Sequence, residues 1–579
     1  MNWKLKPQFA PLQTQTLQDQ LASKAGAFPQ VLASVLLQRG IADLGLAKVY
    51  LQPRADQMHE PFAMRDMDKA TQRILQALAA GERLLIYGDY DVDGTTSVSL
   101  LQLFFSDLGF EFEVYVPNRF TEGYGISFEG VQHAVDTGCK LLVALDCGTK
   151  ALDKIRFAVE NGVEVIVVDH HQPGEVLPPT VAMLNPLQPN CGYPDKDLSA
   201  CALTMKLCQG MMKVLPFEIL DRLPADYDPF AKYCDLVALS IACDIVPLRQ
   251  ENRAMLYLGL EKLRQDALPG IAALKNLDKA GKDWSVSDMV FYLGPRINSA
   301  GRLQHATEAV ALLTGRAPDL KALAESLNAF NEERKILDKE ITAQALGRIA
   351  EEEQGELRCS TVLFDKSWNK GIIGIVASRL IERHYRPTIL LTTAGDYLVG
   401  SGRSVAGFDL HEAIEACSQH LVQFGGHKYA AGLTMKLENF EAFRNSFEEY
   451  VKTHISEDSK IAEIEVDGII ELKEVDARFI RLVHRMAPFG PANPEPNFLA
   501  LKVQVKDCAI LKNEHVKLLL QQGNTVVEGI AFFQAEHWHE INAMELDIVF
   551  QPDIKTWNGR SFVQLRVKDF KPAGMVSYS

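Results

Sequence analysis

The chain has 579 residues, 47% hydrophobic and 23% charged, the balance of a folded protein of several domains and not of a disordered or fibrous one. Its 60 Lys and Arg against 75 Asp and Glu leave a net charge of −15, which excludes a globally basic nucleic-acid coat while leaving room for a local basic cleft. Ten cysteines without one C-x-x-C pair exclude a zinc ribbon and a dense disulfide framework.

The N-terminal MNWKLKPQFAPLQ has no apolar core behind its charges and does not read as a secretory signal. No stretch approaches the ~18 apolar residues of a membrane span, so a cytoplasmic protein is expected. Residues 1–64 read as short helices without evident chemistry. From about residue 65 the rhythm tightens: apolar runs at 83–87, 112–116, 141–145 and 163–168 alternate with amphipathic stretches. Near-continuous apolar runs of this kind predict a parallel sheet covered on both faces, here in an α/β domain over 65–315 whose later part, 198–263, is mainly helical.

Residues 316–357 carry Leu320, Leu323, Leu327, Phe330, Leu337, Ile341, Ala345 and Ile349 at helical spacing, which predicts one amphipathic connector helix. The pattern is not sustained as the clean heptads of a dimerising coiled coil. A second α/β unit is expected over 358–455 and a polar linker over 456–460. Short alternating segments over 461–575 predict a small β-barrel or sandwich.

Three predicted strands end in acids: Asp89 after RLLIYG, Asp146 after LLVAL and Asp169 after VIVV. Asp91 and Asp93 follow the first, His170 and His171 the third, and Asp244 lies in LSIACDIVPL. Ligands of open parallel sheets collect outside the carboxyl ends of the strands, so these groups converge on one crevice. Gathered carboxylates repel one another unless cations neutralise them. Carboxylate and imidazole without thiolate suit Mn²⁺ or Mg²⁺, and a bridging Asp with ligands on either side is what a two-metal phosphoryl-transfer site needs. Any one of these Asp, taken alone, reads better as a helix cap, but the D-x-D-x-D, the strand-end Asp and Asp-His-His taken together do not.

Eight ordered motifs give the pattern a family. They are Y-G-D-Y-D-V-D-G (87–94), A-L-D-C-G-T (144–149), V-D-H-H-Q-P (168–173), C-D-I-V-P-L (243–248), G-P-R-I-N-S-A-G-R-L (294–303), G-I-I-G-I-V-A-S-R-L (371–380), S-G-R-S (401–404) and G-G-H-K-Y-A-A-G (425–432). Over 65–575 the chain resembles the DHH phosphoesterase superfamily, and within it the branch of single-strand-specific 5′→3′ DNA exonucleases active in recombination and repair. Tyr87 stands where small-substrate members place a His.

The resemblance implies a DHH catalytic domain, a DHH-associated domain and a C-terminal OB-fold. It implies two divalent ions, Mn²⁺ or Mg²⁺. Asp91 and Asp244 would hold the first ion with support from Asp89, Asp93 and His170 the second, and Asp146 would bridge them, with His171 facing the scissile phosphate. Arg296, Asn298 and Arg302 would contact phosphates where Gly lets the backbone approach, with Arg119 a further candidate. Ser401, Arg403 and the Gly425-Gly426-His427 turn would hold the terminal 5′ phosphate. Of Phe489, Phe498, Phe532, Phe533, Trp557 and Phe562, most are expected to fill the barrel, with Trp557 the exposed candidate for base stacking. His537-Trp538-His539 reads as surface or core, since i and i+2 diverge on a helix. The implied partners are single-stranded DNA, a single-strand-binding protein and a DNA helicase; nothing requires more than a monomer.

Overall fold

The computed structural model describes the chain except for residues 23–26, 120, 278–282, 304, 354–357, 538–543, 558–559 and 575–579, and except for the side chains of Leu303, His537, Trp557 and Arg560. Two compact units are present: Leu5–Leu327 with Glu465–Ser579, and Asn328–Ile464 with Met1–Lys4.

The larger unit is built around a five-stranded sheet, β1 (Leu84–Gly88), β2 (Glu113–Tyr115), β3 (Leu141–Leu145), β4 (Glu164–Val168) and β5 (Ala182–Leu184), in the order β2-β1-β3-β4-β5. All neighbours run parallel. β1 and β3 are buried at every position, as their unbroken apolar sequences require of strands covered on both faces. Register then fixes the chemistry. Gly88 pairs Leu145 and Leu145 pairs Val168, so Asp89, Asp146 and Asp169, each one residue further on, leave the sheet at one level.

Helix Val92–Asp107 begins directly after β1. The Asp91 carboxylate caps it by accepting from the Gly94 N–H at 3.1 Å. A Cβ on Gly94 would lie 2.3 Å from the Asp89 carbonyl oxygen, so this turn closes only with Gly. Helices Ala200–Val214, Pro229–Cys243 and Gln250–Asp266 follow, the helical later part that the sequence predicts.

One reading needs correction. G-P-R-I-N-S-A-G-R-L is not a backbone cradle but a helix, Gly294–Leu303, entered through a π-helical turn at Met289–Leu293. Pro295 lies inside a helical run unbroken from Val286, and the π-helical turn before it is the local adjustment that a proline within a helix brings. The glycines permit close packing: a Cβ on Gly294 would meet Cys243 Sγ at 2.6 Å, and one on Gly301 the Tyr90 carbonyl at 3.0 Å.

The connector is a single helix, Leu320–Glu352. The smaller unit carries a mixed sheet of β6 (Thr361–Phe364), β7 (Thr388–Ala394), β8 (Tyr397–Arg403), β9 (Leu421–His427) and β10 (Ala430–Lys436), in the order β9-β10-β8-β7-β6. Gly425-Gly426-His427, expected as a turn, is instead the end of β9.

The C-terminal strands are β11 (Gly468–Ile469), β12 (Phe498–Leu511), β13 (His515–Gln522), β14 (Thr525–Ala531), β15 (Glu545–Trp557) and β16 (Arg560–Pro572). The last five close into a barrel through the β12–β15 pairing. The N-terminal helices Pro11–Leu21, Gln30–Gln38 and Leu44–Leu51 complete its core: Leu17, Leu32, Leu36 and Ala47 share one apolar cluster with Phe479, Phe498 and Phe550.

A buried arginine ties helix Gln250–Asp266 to the N-terminal helix Leu44–Leu51 and to the loop over 486–488. Arg253 stacks on the Tyr50 ring, 3.9 Å from its centroid, and donates to the carbonyls of Tyr50, Met486, Ala487 and Pro488. Nearby, the Leu248 N–H donates to the Pro491 carbonyl at 2.8 Å.

Candidate metal centre and nucleic-acid site

The crevice at the carboxyl end of the parallel sheet brings together Asp89, Asp91, Asp93, Asp146, His170, His171 and Asp244. Candidate ligand atoms fall into groups lying within 4.8 Å of one another: Asp89, Asp91 and Asp146; Asp93, His170 and Asp244; and Asp146, His170 and His171. His170 Nε2 stands 3.4 Å from Asp146, 3.6 Å from Asp244 and 3.7 Å from Asp93. Asp244 groups with Asp93 and His170 and also feels the charge of Asp91. Asp146 is common to two groups.

Asp146 adopts φ 60°, a left-handed conformation uncommon for a residue other than Gly, at the point where the chain leaves β3. Among the described residues its Oδ1 and Asp89 Oδ2 have no hydrogen-bond partner, although the two residues are only 2% and 0% exposed. Orphaned buried carboxylate oxygens are costly and call for a missing partner. With imidazole and oxygen donors around them, a hard divalent cation fits.

Electrostatics agree. Burial, then repulsion from Asp93, Asp91 and Asp244, raises the Asp146 pKa well above the ordinary carboxylate range. Burial with Asp91 does the same to Asp89, and burial with Asp93 to Asp244.

Asp169 has a different task. Its Oδ1 accepts from the His170 N–H at 2.8 Å and pairs with His171 Nδ1 at 2.7 Å, while Oδ2 accepts from the Thr149 N–H at 3.0 Å. Against the upward push of burial, the hydrogen bond and charge of His171 hold this carboxyl below its usual range. Asp169 thus orients the two histidines. Asp93 is likewise anchored, accepting from the N–H groups of Ala200 (2.8 Å) and Cys201 (2.9 Å) at a helix N-terminus and from Ser240 Oγ (2.6 Å).

Tyr124 joins the site although it belongs to none of the eight motifs. Its hydroxyl lies 2.9 Å from His171 Nε2 and donates to the Asp146 carbonyl at 3.3 Å. The flanking Gly123 and Gly125 have φ 87° and 81°, and a tyrosine between two such glycines was the one signal available. Tyr87 supports this loop: its buried hydroxyl donates to the Gly125 carbonyl at 2.9 Å and accepts from the Ser127 N–H at 3.1 Å.

The cations separate. The Arg119 guanidinium stands 5.0 Å above the Tyr90 ring. Burial and Asp89 push the Tyr90 phenol up to about 12 against the opposing charges of Arg119 and Arg302, so both arginines border the Asp89–Asp91 loop. Asn298 is half-buried on the same helix as Arg302. Arg296 is buried instead, packed 3.5 Å from the Tyr292 ring centroid and donating to the Tyr292 carbonyl at 2.7 Å.

In the smaller unit Arg403 donates to Ser401 Oγ at 3.1 Å. A Cβ on Gly374, in the first turn of helix Ile373–Arg383, would lie 2.7 Å from Ser401 Oγ and 3.0 Å from the Arg403 guanidinium. Register sets Arg403 and His427 on either side of Ala430, and Gly426 pairs Ala431. A helix N-terminus, a hydroxyl, a guanidinium and an exposed imidazole thus share one side of this unit.

On the barrel, Phe498 is buried and Phe489 packs on the core. Phe532, Phe533 and Phe562 are exposed, Phe533 at 75%, and the His515 ring stands 5.2 and 4.8 Å from Phe532 and Phe533. Trp557 ends β15 opposite Arg560, but its side chain lies outside the described residues, as does the His537-Trp538-His539 cluster.

Three family models match: the DHH family N-terminal domain over 83–241, the DHHA1 domain over 337–453 and the RecJ OB domain over 466–569. The single-stranded-DNA-specific exonuclease RecJ of Bacillus subtilis is 33% identical over 546 residues, covering 93% of this chain and 67% of its own. The RecJ of Escherichia coli is 31% identical over 555 residues, covering 93% and 96%. The crystal structure of Thermus thermophilus RecJ with Mn²⁺ superposes with a TM-score of 0.83 at 26% identity, covering 99% of this chain and 80% of that one. The chain belongs to the RecJ family of the DHH phosphoesterases.

Proposed function

We propose that the protein is a metal-dependent exonuclease that degrades single-stranded DNA from 5′ ends by phosphodiester hydrolysis, serving recombination and repair. The observation that carries this reading is the convergence of five aspartates and two histidines at one sheet edge, with the buried Asp89 Oδ2 and Asp146 Oδ1 lacking a hydrogen-bond partner among the described residues. Asp89, Asp91 and Asp146 would hold one divalent ion and Asp93, His170 and Asp244 a second, with Asp146 shared. Such a pair supplies an activated water at neutral pH and Lewis-acid stabilisation of the phosphoryl oxygens.

The remaining work falls to the chain itself. Asp169 accepts from His171 Nδ1 and favours the protonated ring, so that Nε2–H donates to a phosphate oxygen once Tyr124 yields it. Arg119 and Arg302 attract the backbone of the strand, and the exposed Phe532 and Phe533 offer ring faces for bases. A metal site cannot by itself distinguish strand ends, so polarity needs an end-recognition pocket. Ser401, Arg403, Gly426 and His427, with the helix N-terminus at Gly374, form an anion site suited to a terminal 5′ phosphate.

In this reading residues 65–315 catalyse, 316–357 connect, 358–455 read the strand end and 461–575, with the helices of 1–64, bind the strand. The enzyme would work as a monomer in the cytoplasm, on strands supplied by a helicase and coated by a single-strand-binding protein. Among the described residues no helix is long and apolar enough to cross a membrane. The test is degradation of labelled single-stranded DNA with Mn²⁺ or Mg²⁺ beside duplex and dinucleotide controls. Release of mononucleotides from the 5′ end of the single strand alone is expected; preference for the dinucleotide would overturn the reading.

A further inference from the structure

The Asp93 carboxylate ends a chain of hydrogen bonds that starts at a helix N-terminus and runs wholly inside the protein. Asp93, Ser199 and Ser240 are 1%, 0% and 0% exposed. Ser199 is the N-cap of helix Ala200–Val214, and its Oγ accepts from the Ala202 N–H at 3.3 Å. The hydroxyl oxygens of Ser199 and Ser240 lie 2.6 Å apart, and Ser240 Oγ lies 2.6 Å from Asp93 Oδ1. An ionised carboxylate only accepts, so the protons have one consistent order: Ser240 donates to Asp93, and Ser199 donates to Ser240. The Ala200 and Cys201 N–H groups donate to Asp93 directly, to Oδ2 at 2.8 Å and to Oδ1 at 2.9 Å. The first three N–H groups of this helix therefore all end on one carboxylate, two directly and the third through two serines, as the helix dipole favours.

The two carboxylate oxygens are left unequal. Oδ1 takes two donors, Cys201 and Ser240, which fills both acceptor positions of a carboxylate oxygen. Oδ2 takes one, and it is the oxygen that stands 3.7 Å from His170 Nε2. Ser240 serves the neighbouring ligand too: its carbonyl accepts from the Asp244 N–H at 2.9 Å, at the end of helix Pro229–Cys243. One serine thus holds two members of the Asp93, His170 and Asp244 set. We propose that Ser240, backed by Ser199, is a positioning residue that confines Asp93 to a single ligand oxygen, and so sets both the affinity of the ion held by this set and its preference for Mn²⁺ or Mg²⁺ over Ca²⁺. Mg²⁺ demands near-octahedral geometry at short distance, whereas Ca²⁺ accepts bidentate carboxylates. Without the Ser240 hydroxyl, Oδ1 regains a lone pair and Asp93 can offer both oxygens, which suits the larger ion. The inference rests on the two-ion reading above.

The test is calorimetric titration of the metal-free full chain with Mn²⁺ and, separately, with Ca²⁺, without DNA, for the parent, Ser240→Ala and Ser199→Gly. Glycine is an accepted N-cap residue, so Ser199→Gly removes one hydroxyl of the chain while keeping the helix start, and it carries the test where Ser240→Ala does not fold. For Ser240→Ala one of the two Mn²⁺ affinities is expected to fall about tenfold or more while the other holds. Ca²⁺ affinity falls less. The Mn²⁺ concentration that half-saturates single-strand cleavage rises by the same factor, with turnover recovered at saturating Mn²⁺. Ser199→Gly shifts the same affinity in the same direction by a smaller factor. Mn²⁺ affinities unchanged in both variants, or equal losses for Mn²⁺ and Ca²⁺, would overturn the inference while the two-ion reading stands. A parent chain that binds fewer than two Mn²⁺ would overturn that reading, and the inference with it.

Discussion

The Tyr124 hydroxyl lies 2.9 Å from Nε2 of His171, the ring nitrogen that points away from Asp169. Against the lowering by burial, the hydrogen bond and charge of Asp169 at Nδ1 raise the His171 pKa and favour the protonated ring, so Nε2–H donates to the Tyr124 hydroxyl, which in turn donates to the Asp146 carbonyl. Tyr124 thereby fixes the histidine's ring plane, and it must release Nε2 when a phosphate oxygen takes its place.

Tyr124→Phe removes this contact while leaving the ring in place. The exonuclease turnover should fall about tenfold, the loss of roughly one hydrogen bond of positioning, with Mn²⁺ affinity unchanged. Rate measurements at saturating metal and DNA, paired with metal titration, check this. A loss of Mn²⁺ affinity would place Tyr124 in metal binding instead.

The pH dependence of metal stabilisation has a defined sign. Burial and mutual repulsion raise Asp89, Asp146 and Asp244 above their unfolded values. Below the unfolded carboxylate pKa these groups are protonated in both states and cost nothing. As pH rises through the raised values they ionise inside the fold, and their contribution to the stability of the metal-free protein falls. A divalent ion relieves that repulsion, so the thermal shift given by saturating Mn²⁺ over chelator should be larger at about pH 8 than at about pH 6. A shift that shrinks with rising pH would contradict the electrostatic account.

Arg403→Ala should leave metal binding intact while reducing the preference for 5′-phosphorylated over 5′-hydroxyl ends. A charge-assisted contact of this kind contributes about 1.5–3 kcal/mol, or roughly tenfold to a hundredfold in the cleavage-rate ratio between the two ends. An unchanged ratio would move end recognition to Arg119 or Arg302.

Arg253→Ala removes a buried guanidinium that serves four carbonyls, that of Tyr50 in the N-terminal helix Leu44–Leu51 and those of Met486, Ala487 and Pro488 in the loop after helix Ala477–His484. The orphaned carbonyls and the lost stacking on Tyr50 should cost more than about 3 kcal/mol. Denaturant unfolding measures this directly, and a loss under about 1 kcal/mol would show that water replaces the side chain at little cost.

The strand-end acids were legible because β1, β3 and β4 are written almost wholly in β-branched and leucine residues, a pattern that only a doubly covered parallel sheet explains. Asp146, Asp169 and Asp89 follow those runs directly, and register does the rest. What stayed hidden has a common cause: it depends on partners distant in sequence. Leu17, Leu32 and Leu36 read as isolated short helices, yet they complete the core of a barrel that begins more than four hundred residues later. Gly294 and Gly301 read as a phosphate cradle because nothing local shows that Cys243 and Tyr90 press against them. Arg296 was indistinguishable from Arg302 by sequence, and only the Tyr292 ring separates their roles. Phe532 and Phe533 meet the His515 ring at the start of the neighbouring strand, a contact that the sequence does not show.

The central claim is that Asp146 joins two ligand sets into one two-metal centre, and the most direct measurement of it is Mn²⁺ stoichiometry by calorimetry together with single-strand cleavage for the parent and Asp146→Ala. The account predicts two Mn²⁺ per parent chain, and for the variant a folded protein with weakened metal binding and no hydrolysis at any concentration of Mn²⁺ or Mg²⁺. Cleavage retained by a folded Asp146→Ala variant would contradict it.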